Sequence, residues 1–414
     1  MSLPPPDPKL LNRFPTVADL ERLARRRMPH RLAGYVLAGA DSGSGVKENR
    51  AAFERMRLVP RYAIKIGGRT TAVKLFGQTW SVPIGIAPIG LLGTLWPGAE
   101  LAYARAARAA GVPFVLSTFA GESIETVGPV AGRFGWFQLY AYRDMATTRD
   151  MVRRAAAAGF GALVLTLDTP LYSKRPDDYR NGLTFPPKLT PAFLAEIAMA
   201  PFWALGALGR GYPAYGTLLP YVPIGLPRHR ALQALLDAAD IIDLSWDDVA
   251  IIRKDWSGPL IIKGLQHPGD ALRAAELGAD GVIVSNHGGR QLDAAPASLD
   301  TLPEIVEAAG DRIAVMLDSG IRSGLDIAKA LVRGARFTFA ARPFLYGVAA
   351  AGVRRGPDFV IRLLAEELST ALAQLGALTP EELRRAPGYE HRPGLQTSEP
   401  RHSPVDLPEQ DHKT

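Results

Sequence analysis

Apolar and polar positions along this chain follow one repeated unit. An alanine-rich stretch with helical spacing ends near a glycine, a short run of β-branched and aromatic residues follows, and a polar or glycine-rich loop closes the unit. Ala106–Ala110 followed by Pro113–Ser117 is one instance, and Val152–Ala158 followed by Ala162–Asp168 is another. Ala271–Leu277 then Gly281–Ser285, and Ile327–Val332 then Arg336–Ala341, repeat it. The glycine lets the helix end in a left-handed turn, and the unbroken apolar run reads as a strand buried on both faces. Pro83–Pro88, Gly135–Tyr140, Pro259–Gly264 and Ile313–Asp318 fit the same strand template. Eight buried parallel strands with helical crossovers, spread over about 260 residues, predict an α/β fold of the (β/α)8 TIM-barrel type. A doubly wound open sheet could use the same strands. The barrel fits better because polar residues gather after nearly every strand, and in a barrel those C-terminal ends share the face where an active site is built.

Three segments lie outside the repeat. Residues 1–81 read as a helical lead-in with a small hairpin, its turns suggested by Arg69–Val73 and Gly77–Ser81, in one domain with the barrel at 82–378. Residues 169–247 form an insertion after the fourth strand, too long for an ordinary crossover and so expected to be functional. Within it, Ile197–Gly209 carries Phe202, Trp203, Leu205 and Leu208, is broken by Pro201, and holds no acid, Glu196 being the only one between Leu189 and Pro227. It is too short to span a bilayer core of about 30 Å, yet too apolar for a solvated loop. Tyr212–Tyr215 supply interfacial aromatics, and Lys188, Arg210, Arg228 and Arg230 suit anionic headgroups. Residues 190–222 are therefore expected to touch a membrane peripherally, the alternative being a lid over the barrel mouth or a subunit contact. The tail at 379–414, rich in proline, charge and histidine, is expected to be disordered.

Composition narrows the chemistry. With no cysteine among 414 residues, disulfides, thiolate metal sites and thiol nucleophiles are excluded, so any redox chemistry needs a bound cofactor or another residue type. No metal site is expected. The net charge of +7, from 48 basic and 41 acidic residues, could suit nucleic acid or an anionic membrane. No basic stripe interleaved with aromatics is present, so nucleic acid is not expected as a partner. The N-terminus has no apolar stretch before Val17 and the chain no run of about 18 apolar residues, which points to a cytoplasmic protein, at most peripheral on the inner face of the membrane.

The strand ends carry the candidate chemistry. After the strand Gly281–Val284 comes Ser285-Asn286-His287-Gly288-Gly289-Arg290-Gln291-Leu292-Asp293, which places His287 and Arg290 at the barrel mouth. An imidazole can remove a proton at neutral pH and a guanidinium can grip a carboxylate through two bonds, a pairing suited to oxidation of a hydroxy acid. The bland reading is a loop histidine beside a solvated arginine. His267 also follows a strand but starts a helix beside Pro268. Asp168 ends the fourth strand, where a carboxylate can orient an imidazole and stabilise its cation, or simply cap a loop. Gln138 and Tyr140 share one side of the third strand's end. Lys263 ends an apolar strand, and a buried ammonium needs an anionic partner, of which an electron-rich cofactor ring is one. The last two strands end in Asp318-Ser319-Gly320-Ile321-Arg322-Ser323-Gly324 and Ala341-Arg342-Pro343, loops of the kind that cradle a phosphate in such barrels.

Taken together, the SNHGGRQLD, WFQLY, LTLDTP and LDSGIRSG stretches and the lysine strand occur in an order that resembles the FMN-dependent α-hydroxy acid oxidase/dehydrogenase family, over roughly residues 10–378. That family includes glycolate and lactate oxidases and lactate and mandelate dehydrogenases. Leu92-Gly93-Thr94-Leu95-Trp96-Pro97-Gly98 and Phe114-Val115-Leu116-Ser117-Thr118 look most similar to the mandelate dehydrogenase branch. The resemblance implies oxidation of an (S)-2-hydroxy acid, mandelate- or lactate-like, to the 2-keto acid with FMN as cofactor. It makes His287 the base, Asp168 its orienting partner, and Arg290 and Arg175 the grip on the substrate carboxylate, aided by Tyr35 and Tyr140. Lys263 would stabilise negative charge on the reduced ring. Pro88, Ile89, Gly90, Ser117, Gln138, Thr166 and Ser285 would line the ring and ribityl chain, and Asp318, Gly320, Arg322, Ala341 and Arg342 would hold the phosphate end. Electrons would pass to a quinone or another acceptor, or, as the alternative, to oxygen with release of hydrogen peroxide, and a homo-oligomer, a tetramer in the family, is implied. Phe119 and the small Gly90 favour a medium or large substrate side chain.

Three positions depart from the family pattern. Ala341 stands where glycine is usual before Arg342, Pro176 follows Arg175 where an acid is usual, and Ile89 replaces a polar residue after Pro88. A flavin-binding module without turnover would be expected to lack His287, Asp168 or one of the arginines, and all are present. A flavin barrel acting on substrates without a carboxylate would have no use for Arg290.

Overall fold

The computed structural model describes residues 3–142, 144–184, 188–210, 215–222, 244–385 and 388–390. A hairpin of β1 (Val73–Leu75) and β2 (Gln78–Trp80) precedes eight parallel strands. These are β3 (Ile84–Ile86), β4 (Phe114–Ser117), β5 (Gly135–Leu139), β6 (Ala162–Thr166), β7 (Leu260–Leu265), β8 (Gly281–Val284), β9 (Ala314–Leu317) and β10 (Phe337–Ala340). They pair in sequence order and close where Thr338 of β10 meets Ile84 of β3, so the sheet is a barrel and not the open alternative. All eight expected strands are present; seven are trimmed at one or both ends, and the strand expected at Pro259–Gly264 starts one residue later and runs on to Leu265. Asp168, Ser285 and Asp318 have left the ladder and stand in the loops above it.

Inward residues fill the barrel in layers. Val115, Trp136, Val164, Ile261, Ile283, Met316, Phe337 and Phe339 form one buried cluster inside it. Gly85 is required there, because a Cβ at that position would lie 2.4 Å from the Phe339 ring. The hairpin plugs the N-terminal end. Its two turn residues, Phe76 and Gly77, both have positive φ (50° and 70°), the geometry of a tight two-residue turn. That turn delivers Trp80 edge-on to Trp136, with ring centroids 5.8 Å apart.

The lead-in packs four helices, Pro8–Arg13, Val17–Arg27, His30–Leu37 and Ser44–Arg55, into the outer core. The helix His30–Leu37 carries Tyr35 to the barrel mouth, and Arg31 on the same helix is paired with Glu196 of the insertion at 2.9 Å. In the insertion, helices Pro191–Ala198 and Pro201–Arg210 meet at 105°. Among the described residues no single helix is long and apolar enough to cross a membrane, although this bent pair has the combined length and composition.

Two expectations need correction. The chain is not disordered from Thr379: Pro380–Arg385 is helical, and Leu383 and Tyr389 are buried, two apolar anchors that outweigh the polar composition around them. Glu390 also pairs with Arg333, whereas residues 391–414 lie outside the described residues. Tyr215, expected at a membrane interface, is buried (1% exposed) in a cluster with Leu91, Tyr35 and Phe119. Tyr212, Arg228 and Arg230 lie outside the described residues.

Candidate active site

The loops above the C-terminal strand ends enclose a cavity of about 640 Å³. Its lining includes most of the expected site residues, from Tyr35, Pro88, Ile89, Gly90, Ser117, Gln138, Tyr140 and Thr166 to Arg175, Lys263, His287 and Arg290, and then Asp318, Gly320, Arg322, Ala341 and Arg342.

His287 stands at φ +58°, a left-handed conformation uncommon for a residue with a side chain. Short bonds hold it there. Its own N–H donates to Ser285 Oγ at 3.0 Å, and the N–H groups of Gly288 and Gly289 donate to Ser319 Oγ and Asn286 Oδ1. Asn286 is locked in turn by reciprocal amide bonds with Asn49, at 2.8 and 3.0 Å. The ring that results lies with Nδ1 2.7 Å from Asp168 Oδ1 and Nε2 3.5 Å from the Tyr140 hydroxyl. Gln291 fixes the other side of this contact by donating to the Asp168 backbone carbonyl at 2.8 Å.

Lys263 lies beneath the pair. Its Nζ is 3.1 Å from Ser285 Oγ, 3.4 Å from Asp168 Oδ2 and 3.6 Å from Asp318 Oδ2. The anionic partners that its burial requires are thus two carboxylates of the chain itself. Ser285, buried beside them, ties Lys263 to the His287 backbone through its hydroxyl. Burial disfavours both charges, but Asp168 and Asp318 keep Lys263 protonated above its usual range, and His287 and Lys263 hold the Asp168 carboxyl below its own. For His287 burial outweighs the pull of Asp168, and Lys263 and Arg175 add to it, so the imidazole sits below its usual 6.5 and is neutral at pH 7. Burial also pushes the Tyr140 hydroxyl up, keeping it protonated.

Opposite His287, the two arginines are positioned by aromatic faces. Arg290 lies 4.5 Å from the Tyr35 ring centroid and donates to the carbonyls of Tyr35 and Ala38. Arg175 lies 4.7 Å from the Tyr172 ring and donates to its hydroxyl at 3.0 Å, while its buried Nε has no partner among the described residues. Pro176 is the first residue of the short helix Pro176–Arg180, a position proline favours, so the departure after Arg175 fits the local backbone. Sequence reasoning missed Asp178, Leu171, Tyr172 and Tyr179, which also line the cavity. The spacing of Asp178 three residues after Arg175 on a helix was the one available signal.

At the far end, Arg322 and Arg342 are half-buried, and neither has a carboxylate within ion-pair distance among the described residues. Burial pushes the Arg342 guanidinium down to about 9, and Arg322 adds like-charge repulsion, a penalty that an anion placed here would relieve. Gly320, at φ +94°, has no room for a Cβ, which would meet Asn49 O at 2.7 Å. Ala341 has φ −104°, so its methyl is no conformational obstacle at this departure from the expected glycine. Along the cavity floor, Gln138 Nε2 and Thr166 Oγ1 are buried without partners among the described residues. A ligand with a flat polar edge and an anionic tail would satisfy both ends, as FMN does, so these residues fit that cofactor.

Residues 24–387 match the family described as FMN-dependent dehydrogenase. An L-lactate oxidase from Nostoc sp. is 40% identical, covering 86% of this chain and 93% of that protein. (S)-mandelate dehydrogenase from Pseudomonas putida is 36% identical, covering 93% of this chain and 95% of that protein. Among solved structures, the monotopic membrane protein (S)-mandelate dehydrogenase superposes with a TM-score of 0.85 at 35% identity, over 91% of this chain and 98% of that one. A mandelate oxidase with bound (S)-mandelic acid superposes at 0.75 with 34% identity, over 90% and 97%. The chain belongs to the FMN-dependent dehydrogenase family, and FMN is its cofactor.

Proposed function

We propose that this FMN-dependent 2-hydroxy-acid dehydrogenase acts on (S)-2-hydroxy acids with aryl or larger alkyl side chains, as a homo-oligomer bound to the inner face of the cell membrane, and passes their electrons to a quinone. The observation that carries the chemistry is the 2.7 Å contact between His287 and Asp168, with the free imidazole edge turned to the cavity beside Tyr140. FMN, when bound, supplies the two-electron acceptor. The chain supplies the rest. Arg175 and Arg290 hold the substrate carboxylate, the neutral His287 takes the hydroxyl proton at Nε2, and Asp168 stabilises the imidazolium that forms. Lys263 keeps a positive charge where negative charge would gather on the reduced ring, Gln138 and Thr166 bind the ring's polar edge, and Arg322 and Arg342 bind the phosphate. Phe119 and Gly90 support the larger side chain: both line the cavity, and at Gly90 the nearest side-chain atom would be 3.7 Å from an added Cβ.

Membrane attachment rests on the bent helix pair. Leu194, Met199, Phe202, Leu205 and Leu208 on its surface are 53 to 82% exposed, while Phe193 and Trp203 root it in the protein. Lys188 and Arg210 flank this apolar face and are exposed. Each helix is about 12 to 15 Å long, enough to sit in one leaflet but not to cross a core of about 30 Å. The relation to a monotopic membrane protein supports the same reading. Replacing Met199, Phe202, Leu205 and Leu208 by serine is expected to release the protein from anionic vesicles in a flotation assay while anaerobic flavin reduction stays unchanged. Faster reoxidation of the wild-type enzyme by a short-chain quinone than by oxygen is expected alongside. A wild-type protein that does not float with vesicles, or that reoxidises faster with oxygen, overturns the membrane and quinone assignments and leaves the oxygen-using alternative.

A further inference from the structure

Glu100 is a buried carboxylate that the proposed chemistry does not use. It lies in the first turn of the helix Ala99–Ala110 and is 1% exposed. Its Oε1 accepts the Gly121 N–H at 3.0 Å, and the carboxylate lies close against Gly93. Gly93 also has no room to spare: a Cβ there would lie 3.0 Å from Oε1. These two glycines belong to different walls of the active site. Gly93 follows β3 in the loop that carries Gly90, Leu91 and Leu95 into the cavity, and Gly121 follows β4 in the loop that carries Ser117 and Phe119.

The insertion grips the same two loops. Trp203 Nε1 donates to the Thr94 and Leu95 carbonyls, both at 3.1 Å. The Gly216 N–H donates to Gly121 O at 3.0 Å, Thr217 Oγ1 reaches Glu122 O, and Tyr215 packs on Leu91, which is itself held at φ +61°. The Glu100 carboxyl thus joins both loops from inside while the insertion joins them from outside.

We propose that Glu100 is a positioning residue for the side-chain pocket of the substrate, holding the loop after β3 against the loop after β4 and so setting the fit of bulky substrates. Burial pushes its carboxyl up to about 7, against the pull of the N–H groups of Glu100, Gly121 and Gly93, and Glu122 adds to the rise. On its own helix Tyr103 is the titratable neighbour, and burial pushes that hydroxyl far up, so it stays neutral. Arg210 of the insertion lies over Gly98 but is exposed. The carboxylate accepts the Gly121 N–H and attracts the nearby Gly93 N–H more strongly than the acid form does, so the acid form holds the two loops less firmly. The clamp therefore tightens as pH rises through neutrality.

The inference rests on the bulky-substrate reading, and the test separates the two. For the holoenzyme, kcat/KM is measured from about pH 6 to pH 8.5 with (S)-mandelate and with (S)-lactate, and their ratio is taken. His287 serves both substrates, so its own titration cancels in the ratio. The ratio is expected to rise about three- to tenfold across a transition near pH 7. Glu100→Gln should flatten it. Glu122→Gln, which leaves the clamp intact but removes the neighbouring charge, should move the midpoint down by about 0.3 to 1 unit. A flat wild-type ratio, a transition that survives in Glu100→Gln, or a midpoint unmoved in Glu122→Gln overturns the proposal. If Glu100→Gln fails to fold, the Glu122→Gln midpoint decides alone. A preference for lactate at every pH counts against the bulky-substrate reading but leaves the transition, and with it the role of Glu100, to be read as before.

Discussion

Replacing His287 by alanine is expected to leave FMN bound and to slow anaerobic flavin reduction by about 10²- to 10⁴-fold, the range for losing a general base. Retention of FMN follows because the groups proposed to hold it, Gln138, Thr166, Arg322 and Arg342, lie on other strands, loops and helices than His287. The loss follows because the neighbouring titratable groups cannot take its place: Tyr140, 3.5 Å from Nε2, is kept protonated by burial, and Lys263 is kept protonated by Asp168 and Asp318. Substrate binding should change much less than the rate, since Arg175 and Arg290 are positioned by Tyr172, Tyr35 and backbone carbonyls. Stopped-flow reduction with a saturating hydroxy acid separates the two effects. A variant that reduces its flavin at a near-normal rate would remove His287 from the base role.

Lys263→Met is the second large effect. The ammonium lies between the buried carboxylates of Asp168 and Asp318, and methionine leaves both without their shared cation. Stripping one partner from a buried charge cluster costs about 3 to 5 kcal/mol. The penalty has a pH signature. With the lysine present, the Asp168 pKa is depressed, so its stabilisation is present above the unfolded carboxylate pKa and is lost as pH falls through the folded value. In the variant a carboxyl protonates more easily, so the deficit relative to wild type should be largest at about pH 8 and shrink towards about pH 4. Urea midpoints at the two pH values check this. A deficit that is the same at both would mean that the loss is one of packing and not of charge.

The barrel was legible because each strand is a largely apolar run bounded by glycine, proline or a polar end, and because the polar residues gather after the strands, which favoured the barrel over an open sheet. Strand ends were overrun by one or two residues: Asp168, Ser285 and Asp318 continue the runs in sequence, but their polar groups turn to each other and to Lys263. His287, Asp168, Lys263 and the arginines could be placed because strand-end position fixes the face of a barrel. What escaped depends on contacts between distant segments. Tyr215 reads as an interfacial aromatic until Leu91, held in a left-handed turn after β3, is brought against it. Trp80 gives no hint in sequence that its hairpin closes the barrel floor. Glu100 looks like an ordinary acid in a helix's first turn, and only the fold brings the Gly121 N–H to it. Beyond Thr379 the polar composition concealed Leu383 and Tyr389, two residues sufficient to dock the chain.

The central claim is that the cavity binds a 2-hydroxy acid by its carboxylate and delivers its electrons to the flavin. Anaerobic mixing of the purified holoenzyme with (S)-mandelate, (S)-lactate, glycolate and (R)-mandelate, followed through the visible flavin absorbance, tests it most directly. Rapid bleaching by (S)-mandelate, slower bleaching by glycolate and none by (R)-mandelate is the predicted result. A flavin left oxidised by all of the (S)-acids and by glycolate would contradict the account.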